Sequence, residues 1–250
     1  MPRGDSVVAT SNMGSDTTRW IALVAFPELT LLDLVGPLQV LRGLGAPFRT
    51  AVVAQRLESI ATDSGLRIMP QMTFADIPRP EVIVVPGGPG SVAAMADHGL
   101  QTYLRSAGHI ATMVASVCTG ALPLAATGLL EGRRVSVHWA YARELELLGA
   151  RYERARFTED GKFITSAGVS AGIDMALKLA AKLAGREASD RIQLGLEYDP
   201  QPPFGGIDWT QVGEKELTRQ RRGGTGARLT QAQVLLAGRP DLLRRLGLGR

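Results

Sequence analysis

Cysteine is almost absent from this sequence, which has one, Cys118, among 250 residues. A single cysteine excludes an intrachain disulfide framework and favours a reducing compartment, so we expect a cytoplasmic protein. No apolar run reaches the roughly 20 residues that a membrane-spanning helix needs. The three histidines and the cysteine are widely separated, without the close ligand spacing of a zinc site. We therefore expect neither a metal, a cofactor nor a membrane partner.

Acidic residues are scarce in the last part of the chain, where positive charge is concentrated. Residues 210–250 contain nine Lys and Arg and three acids, which gives this segment a charge of +6 and the rest −2. Basic segments can bind nucleic acid, but this one lacks interleaved aromatic side chains, and a solvated helix face is the commoner origin of such charge. We expect a small-molecule ligand rather than a nucleic-acid partner.

Composition divides the chain into three segments. Residues 1–18 are polar and rich in Gly, Ser and Thr, which is typical of a disordered leader. Residues 19–204 carry the apolar patterns of a globular domain. Residues 205–250 form a basic extension, with a helical pair expected over 229–248.

The central segment alternates between short apolar runs and helical patterns. β-rich runs at 21–26, 82–85 and 110–117 are each followed by a turn and then by a helical pattern. Such alternation predicts an α/β fold, a parallel sheet with helices on both faces. Three loops, at 86–90, 118–119 and 166–170, follow predicted strands. Since ligands bind at the carboxyl ends of strands in such sheets, we expect a site there.

Cys118 lies at one of these strand-to-helix junctions. α/β-Hydrolases place their nucleophilic serine on a comparable turn, and a helix N-terminus favours thiolate. The sequence therefore predicts a positive φ at Cys118 and a lowered thiol pKa. Free cysteines are also among the most buried residues, so a structural role is the alternative.

Four stretches resemble the DJ-1/PfpI superfamily: FPELTLLDLVGPLQVL, VIVVPGGPG, ASVCTGALPLAATGLLEGRRVSVHW and ITSAGVSAGIDMALKLA. Within it, LDLVGP, SVCTGA and HW resemble isocyanide hydratases and the sensor domains of some AraC-type regulators. The stretch IQLGLEYDPQPPF is more similar to the hydratase branch. The resemblance implies a flavodoxin-like fold, a homodimer, and cysteine-dependent hydration of an isocyanide to an N-formamide.

The resemblance also implies roles for two central residues. Cys118 would be the nucleophile and Asp33 its acid/base partner, because attack on the isocyanide carbon must be accompanied by proton transfer. The alternative for Asp33 is a helix N-cap. Thr119 would bind Asp33 or a water through its hydroxyl group, with a simple turn hydroxyl as its alternative.

Four further residues would bind the substrate or a developing charge through their amides. Gly87 and Gly88 follow a strand, and Gly168 and Val169 match a loop that faces the thiol in hydratase-like members. The alternative for the first two is a tight turn that needs positive φ.

Two other functions stay open on these residues. One is a ligand-sensing domain related to AraC-type regulators, although the 46 residues after Phe204 are too few for the DNA-binding module that such regulators append. The other is a redox or glyoxalase-like protein, in which Cys118 is oxidised or handles a glyoxal. A cysteine peptidase is disfavoured because Thr119, not histidine, follows the cysteine.

Overall fold

The computed structural model describes residues 18–223 and Arg244. The leader expected over 1–18 and the helical pair expected over 229–248 lie outside these residues, apart from Thr18 and Arg244. The strands are β1 (Arg19–Val24), β2 (Phe48–Ala54), β3 (Ile60–Ala61), β4 (Arg67–Ile68), β5 (Met72–Thr73), β6 (Val82–Val85), β7 (Met113–Val117), β8 (Arg134–Val135), β9 (Arg151–Tyr152), β10 (Phe157–Asp160) and β11 (Phe163–Ser166). The helices are α1 (Leu31–Arg42), α2 (Ser91–Ala96), α3 (His98–Ile110), α4 (Ala121–Ala126), α5 (Ala142–Leu147), α6 (Ala171–Ala184), α7 (Arg186–Gly195) and α8 (Glu214–Gly223).

Seven strands form the main sheet in the order β10-β11-β7-β6-β1-β2-β5. All neighbours are parallel except β10 and β11, which pair antiparallel at one edge. Every residue of β6 and β7 is buried, as expected for parallel strands covered on both faces. The predicted fold class is confirmed, with one antiparallel edge strand that the apolar pattern did not indicate.

Two groups of helices cover the sheet. Helix α6 packs against both α1 and α7 in the first group, and α2, α3 and α4 form the second group. β1 and β11 lead into the first group through α1 and α6, whereas β6 and β7 lead into the second through α2 and α4. Neighbouring β1 and β6 therefore send the chain to different helix groups, which opens a crevice between their ends.

The chain continues to pack against the domain after α6. Ile192 is buried, and α7 packs against α6. Leu217 of α8 packs against the edge of the core, so the start of the basic extension contacts the domain. Within residues 18–223, no helix has the length and apolar character to cross a membrane.

Candidate active site

Cys118 follows β7 directly, and a turn of 3-10 helix (Cys118–Gly120) joins it to α4. Its φ is +58°, in the left-handed region that residues other than glycine rarely adopt. The side chain is 7% exposed. The positive φ expected of a nucleophile elbow is confirmed, and strain of this kind, roughly 1–3 kcal/mol, is concentrated at functional residues.

Two glycines allow the turn to pack against the end of β6. A β-carbon at Gly120 would lie 2.2 Å from the carbonyl oxygen of Val85, and one at Gly87 would lie 2.5 Å from the amide nitrogen of Thr119. Neither position has space for a side chain. The close approach of these two loops holds Cys118 at the carboxyl edge of the sheet.

Asp33 is fully buried in the first turn of α1. It is not the N-cap: Thr30 holds that position, and the carboxylate of Asp63 accepts a hydrogen bond from the Leu31 amide at 3.1 Å. The Asp33 carboxylate instead accepts a hydrogen bond from the Gly87 amide at 2.9 Å. Its Oδ1 accepts no regular hydrogen bond from any residue in the described part of the chain. Because buried polar atoms are nearly always paired, this oxygen indicates a functional group.

The pKa of the Asp33 carboxyl group is raised to about 7, and burial is the largest cause. The hydrogen bond from the Gly87 amide acts in the opposite direction and lowers the pKa. The charge of Asp63 adds to the rise, and a weaker interaction with the Cys118 thiol opposes it. A carboxyl group with this pKa can both donate and accept a proton near neutrality.

Burial also raises the pKa of the Cys118 thiol well above its usual value, and the charge of Asp33 adds to that rise. The amides of Thr119 and Val169 act in the opposite direction. The lowered thiol pKa expected from the helix N-terminus is therefore wrong, because desolvation outweighs the favourable amides. Together, Asp33 and Cys118 hold two protons below a pH of about 7 and one above it.

The hydroxyl group of Thr119 does not bind Asp33. It accepts a hydrogen bond from the Gly88 amide at 2.9 Å and lies 2.9 Å from the hydroxyl oxygen of Ser91. Gly88 has a φ of +130°, which fits the alternative of a tight turn. The amides of Gly87 and Gly88 are thus engaged by Asp33 and Thr119, and they orient the turn and its acid.

The loop after β11 brings Gly168 and Val169 to the thiol. The Cys118 amide donates a hydrogen bond to the Ala167 carbonyl oxygen at 3.2 Å, and the Val169 amide interacts with the sulfur. Val169 has a φ of +21°, unfavourable for a β-branched residue. A β-carbon at Gly168 would lie 2.6 Å from Cδ2 of His138, so this loop is held between the thiol and the histidine.

A cavity of about 840 Å³ opens beside this loop. Cys118 and Asp33 do not line it directly, but their neighbours Leu32, Gly168 and Val169 do. Its remaining wall includes residues that sequence reasoning missed, from three separate segments of the chain: His138, Trp139, Tyr152, Arg154, Arg156, Ile207 and Trp209. Aromatic or cationic character was the only signal in the sequence that could have indicated these residues, and Ile207 lacks it. Among the described residues, no group of three or more His, Cys, Asp or Glu could hold a metal ion.

Comparison with known proteins finds relatives of this chain among enzymes and among regulators. The chain is 42% identical to the isonitrile hydratase of Pseudomonas putida over 184 residues, which cover 74% of this chain and 80% of that protein. It is 27% identical to the HTH-type transcriptional regulator GbdR of Pseudomonas aeruginosa, over 77% of this chain and 53% of the regulator.

Solved structures share the fold. A ThiJ/PfpI family protein from Pseudomonas syringae superposes with a TM-score of 0.77 at 31% identity, covering 92% of this chain and 97% of that one. Drosophila melanogaster DJ-1beta superposes with a TM-score of 0.67 at 23% identity, over 73% of this chain and all of that one. The sequence model of the DJ-1/PfpI family matches residues 19–182, and the chain belongs to that family.

Proposed function

We propose that this protein is a lyase that hydrates an isocyanide to an N-formamide, with Cys118 as nucleophile and Asp33 as acid/base group. The observation that carries the proposal is the buried pair itself. A strained thiol lies beside a carboxyl group whose Oδ1 has no regular hydrogen-bond partner in the described part of the chain and whose pKa is raised to about 7. The similarity to an isonitrile hydratase supports the same reaction.

The first step joins the sulfur to the terminal carbon of R–N≡C. Above a pH of about 7, Cys118 and Asp33 share one proton. The reactive form is the one in which this proton is on Asp33 and the sulfur is a thiolate. As the S–C bond forms, Asp33 gives its proton to the same carbon. The product is a thioimidate, R–N=CH–S–Cys118, with Asp33 ionised.

The second step adds water to the thioimidate carbon. Asp33 accepts one proton of the water, the C–S bond breaks, and the nitrogen takes up the other proton. The products are R–NH–CHO and the starting pair with its single proton. The sum is R–N≡C plus water giving the N-formamide, without an external oxidant or reductant.

The surroundings of the pair support these roles. The amides of Thr119 and Val169, which act on the sulfur, can stabilise its negative charge before attack. Gly87 holds Asp33 through one carboxyl oxygen, which leaves Oδ1 for proton transfer. Gly168 and Val169 lie between the thiol and the cavity, where substrate and water would enter. In this proposal they also bind the substrate directly.

The test is a steady-state assay of the full chain with phenyl isocyanide, with N-phenylformamide quantified by chromatography. The expected result is formamide production that Cys118→Ser and Cys118→Ala abolish, because oxygen and carbon do not replace a soft sulfur nucleophile. Methylglyoxal is assayed in parallel. Consumption of methylglyoxal without formamide production would assign the protein to the glyoxalase-like class instead, and inactivity on both would favour a ligand-sensing domain.

A homodimer in the cytoplasm also forms part of the proposal. Leu32 and Val35 project from α1 with 44% and 36% of their surfaces exposed, an apolar area that a second copy could cover. Light scattering at micromolar concentration measures the mass. A monomer would contradict the dimer without affecting the proposed chemistry.

A further inference from the structure

The cavity beside the 168–169 loop has an aromatic wall. The rings of Trp139 and Trp209 pack edge to face, with centroids 6.3 Å apart and an interplanar angle of 69°. Tyr152 lines the same cavity. Aromatic walls of this kind favour flat ligands that can stack or make edge contacts. A volume of about 840 Å³ has room for a substituted ring.

The charge of the wall is positive. Two arginines line the cavity, and none of its lining residues is an acid. Arg156 is already neutralised by an ion pair with Asp174. Arg154 forms no ion pair with any residue in the described part of the chain; its guanidinium group lies over the Trp209 ring, 4.6 Å from the centroid. A guanidinium group stacked on an aromatic ring keeps its N–H groups free for in-plane binding of a carboxylate.

His138 adds a neutral donor to the same wall. Its Nδ1 accepts a hydrogen bond from the Ala140 amide at 3.3 Å, which assigns the proton of the neutral ring to Nε2. Burial lowers the pKa of His138, so the ring is neutral at pH 7. The cavity thus combines flat apolar surfaces with one cation, Arg154, that has no ion-pair partner among the described residues, and with one neutral N–H donor.

We propose that the preferred substrate is an aryl isocyanide that carries a carboxylate, and that Arg154 binds this carboxylate. This inference rests on the proposed function. The isocyanide carbon enters past Gly168 and Val169 toward Cys118, and the ring lies against Trp139 and Trp209. Arg154 then determines specificity and takes no part in bond making.

The test compares 4-isocyanobenzoate with its methyl ester, which has the same ring and no charge. Wild-type protein should have a higher kcat/KM for the acid. Arg154→Gln should lower kcat/KM for the acid by about tenfold or more, as expected for loss of a charge-assisted hydrogen bond, while the ester should be little affected. Arg151→Gln is the matched control, since Arg151 is exposed in β9, forms no ion pair with a described residue and does not line the cavity.

A binding measurement separates this inference from the proposed reaction. The expected product of 4-isocyanobenzoate, 4-formamidobenzoate, is titrated into the full chain, with isothermal calorimetry as the readout. The anionic site is supported if 4-formamidobenzoate binds more tightly than its own methyl ester and if Arg154→Gln weakens that binding. This result would stand even where no isocyanide is turned over and the proposed function fails. Equal turnover of acid and ester, with both unchanged in Arg154→Gln, would overturn the inference and leave the hydratase function intact.

Discussion

The catalytic pair and the outer wall of the cavity are built in opposite ways. Asp33 and Cys118 are at most 7% exposed, and the glycines beside them have no space for a β-carbon. The outer wall, formed by Tyr152, Arg154 and Trp209, consists of half-buried or exposed side chains. The pair is positioned by backbone contacts at the sheet edge, whereas the wall is formed by side chains of separate segments.

This difference separates chemistry from selectivity. A change at the pair alters proton transfer or the fold, because nothing around it can relax without moving a strand end. A change at the wall alters which R group is accepted. Proteins with one fold commonly differ in their substrates in this way, since loops vary while the scaffold is kept.

Asp33→Asn is the sharpest way to test the role of the pair. We expect a loss of kcat/KM of about 10²–10⁴-fold, as is typical when a general acid–base group is removed. Asparagine can still accept the hydrogen bond from Gly87, so the fold should be unaffected, as circular dichroism would check. Full activity in this variant would require another proton carrier and would reduce Asp33 to a structural residue.

The same substitution should change stability in a pH-dependent way. The pKa of Asp33 is raised from 3.8 to about 7 in the folded chain, so ionising it costs folding free energy as pH rises through this interval. Asp33→Asn removes that cost, on the order of a few kcal/mol at pH 8 and little at pH 4. Urea unfolding of both proteins at several pH values measures the difference. A difference that does not grow with pH would contradict the raised pKa.

Gly120→Ala tests the backbone packing that holds the pair. The added β-carbon would lie 2.2 Å from the Val85 carbonyl oxygen, so we expect a loss of about 1–3 kcal/mol or more in the free energy of unfolding. Gly195→Ala is the control: Gly195 ends α7, and a β-carbon added there would have no neighbour within 4 Å among the described residues. That variant should be neutral or stabilising by up to about 1 kcal/mol. Equal stability of the two variants would show that the turn is not tightly packed.

Much of the buried region could be predicted from the sequence. The run VIVV gave β6 with its bounds, and the loops that carry Gly87 and Cys118 followed from strand ends, because these features are local. The antiparallel strand β10 was missed because FTED is polar and lies at an edge. The thiol pKa was wrong in direction because the sequence shows a helix N-terminus but not burial. The outer wall of the cavity could not be predicted, since Tyr152, Arg154 and Trp209 come together only in the folded chain.

The protonation of the pair should be visible in the reactivity of the thiol. Below a pH of about 7 the pair holds two protons, and above it one, which the sulfur and Asp33 can share. Alkylation by iodoacetamide should therefore accelerate as pH rises, with an inflection near 7, and level off above it. Mass spectrometry follows the reaction without ambiguity because Cys118 is the only cysteine. A rate that keeps rising to pH 9 without an inflection near 7 would mean that the thiol titrates alone.

The smallest expected effect comes from Asp63, which connects the exposed surface to the buried pair. Its charge raises the pKa of Asp33, and its carboxylate also accepts hydrogen bonds from Thr30 and Leu31 at the start of α1. Asp63→Asn keeps a hydrogen-bond acceptor for α1 but removes the charge. Ionisation of Asp33 then becomes easier, so the inflection of the alkylation profile should move to lower pH. The rate above the inflection should fall, because the proton that the pair shares then lies on the sulfur more of the time. A shift to higher pH would contradict the charge effect. No shift would mean that solvent screens Asp63 from the pair, and that the raised pKa of Asp33 comes from burial alone.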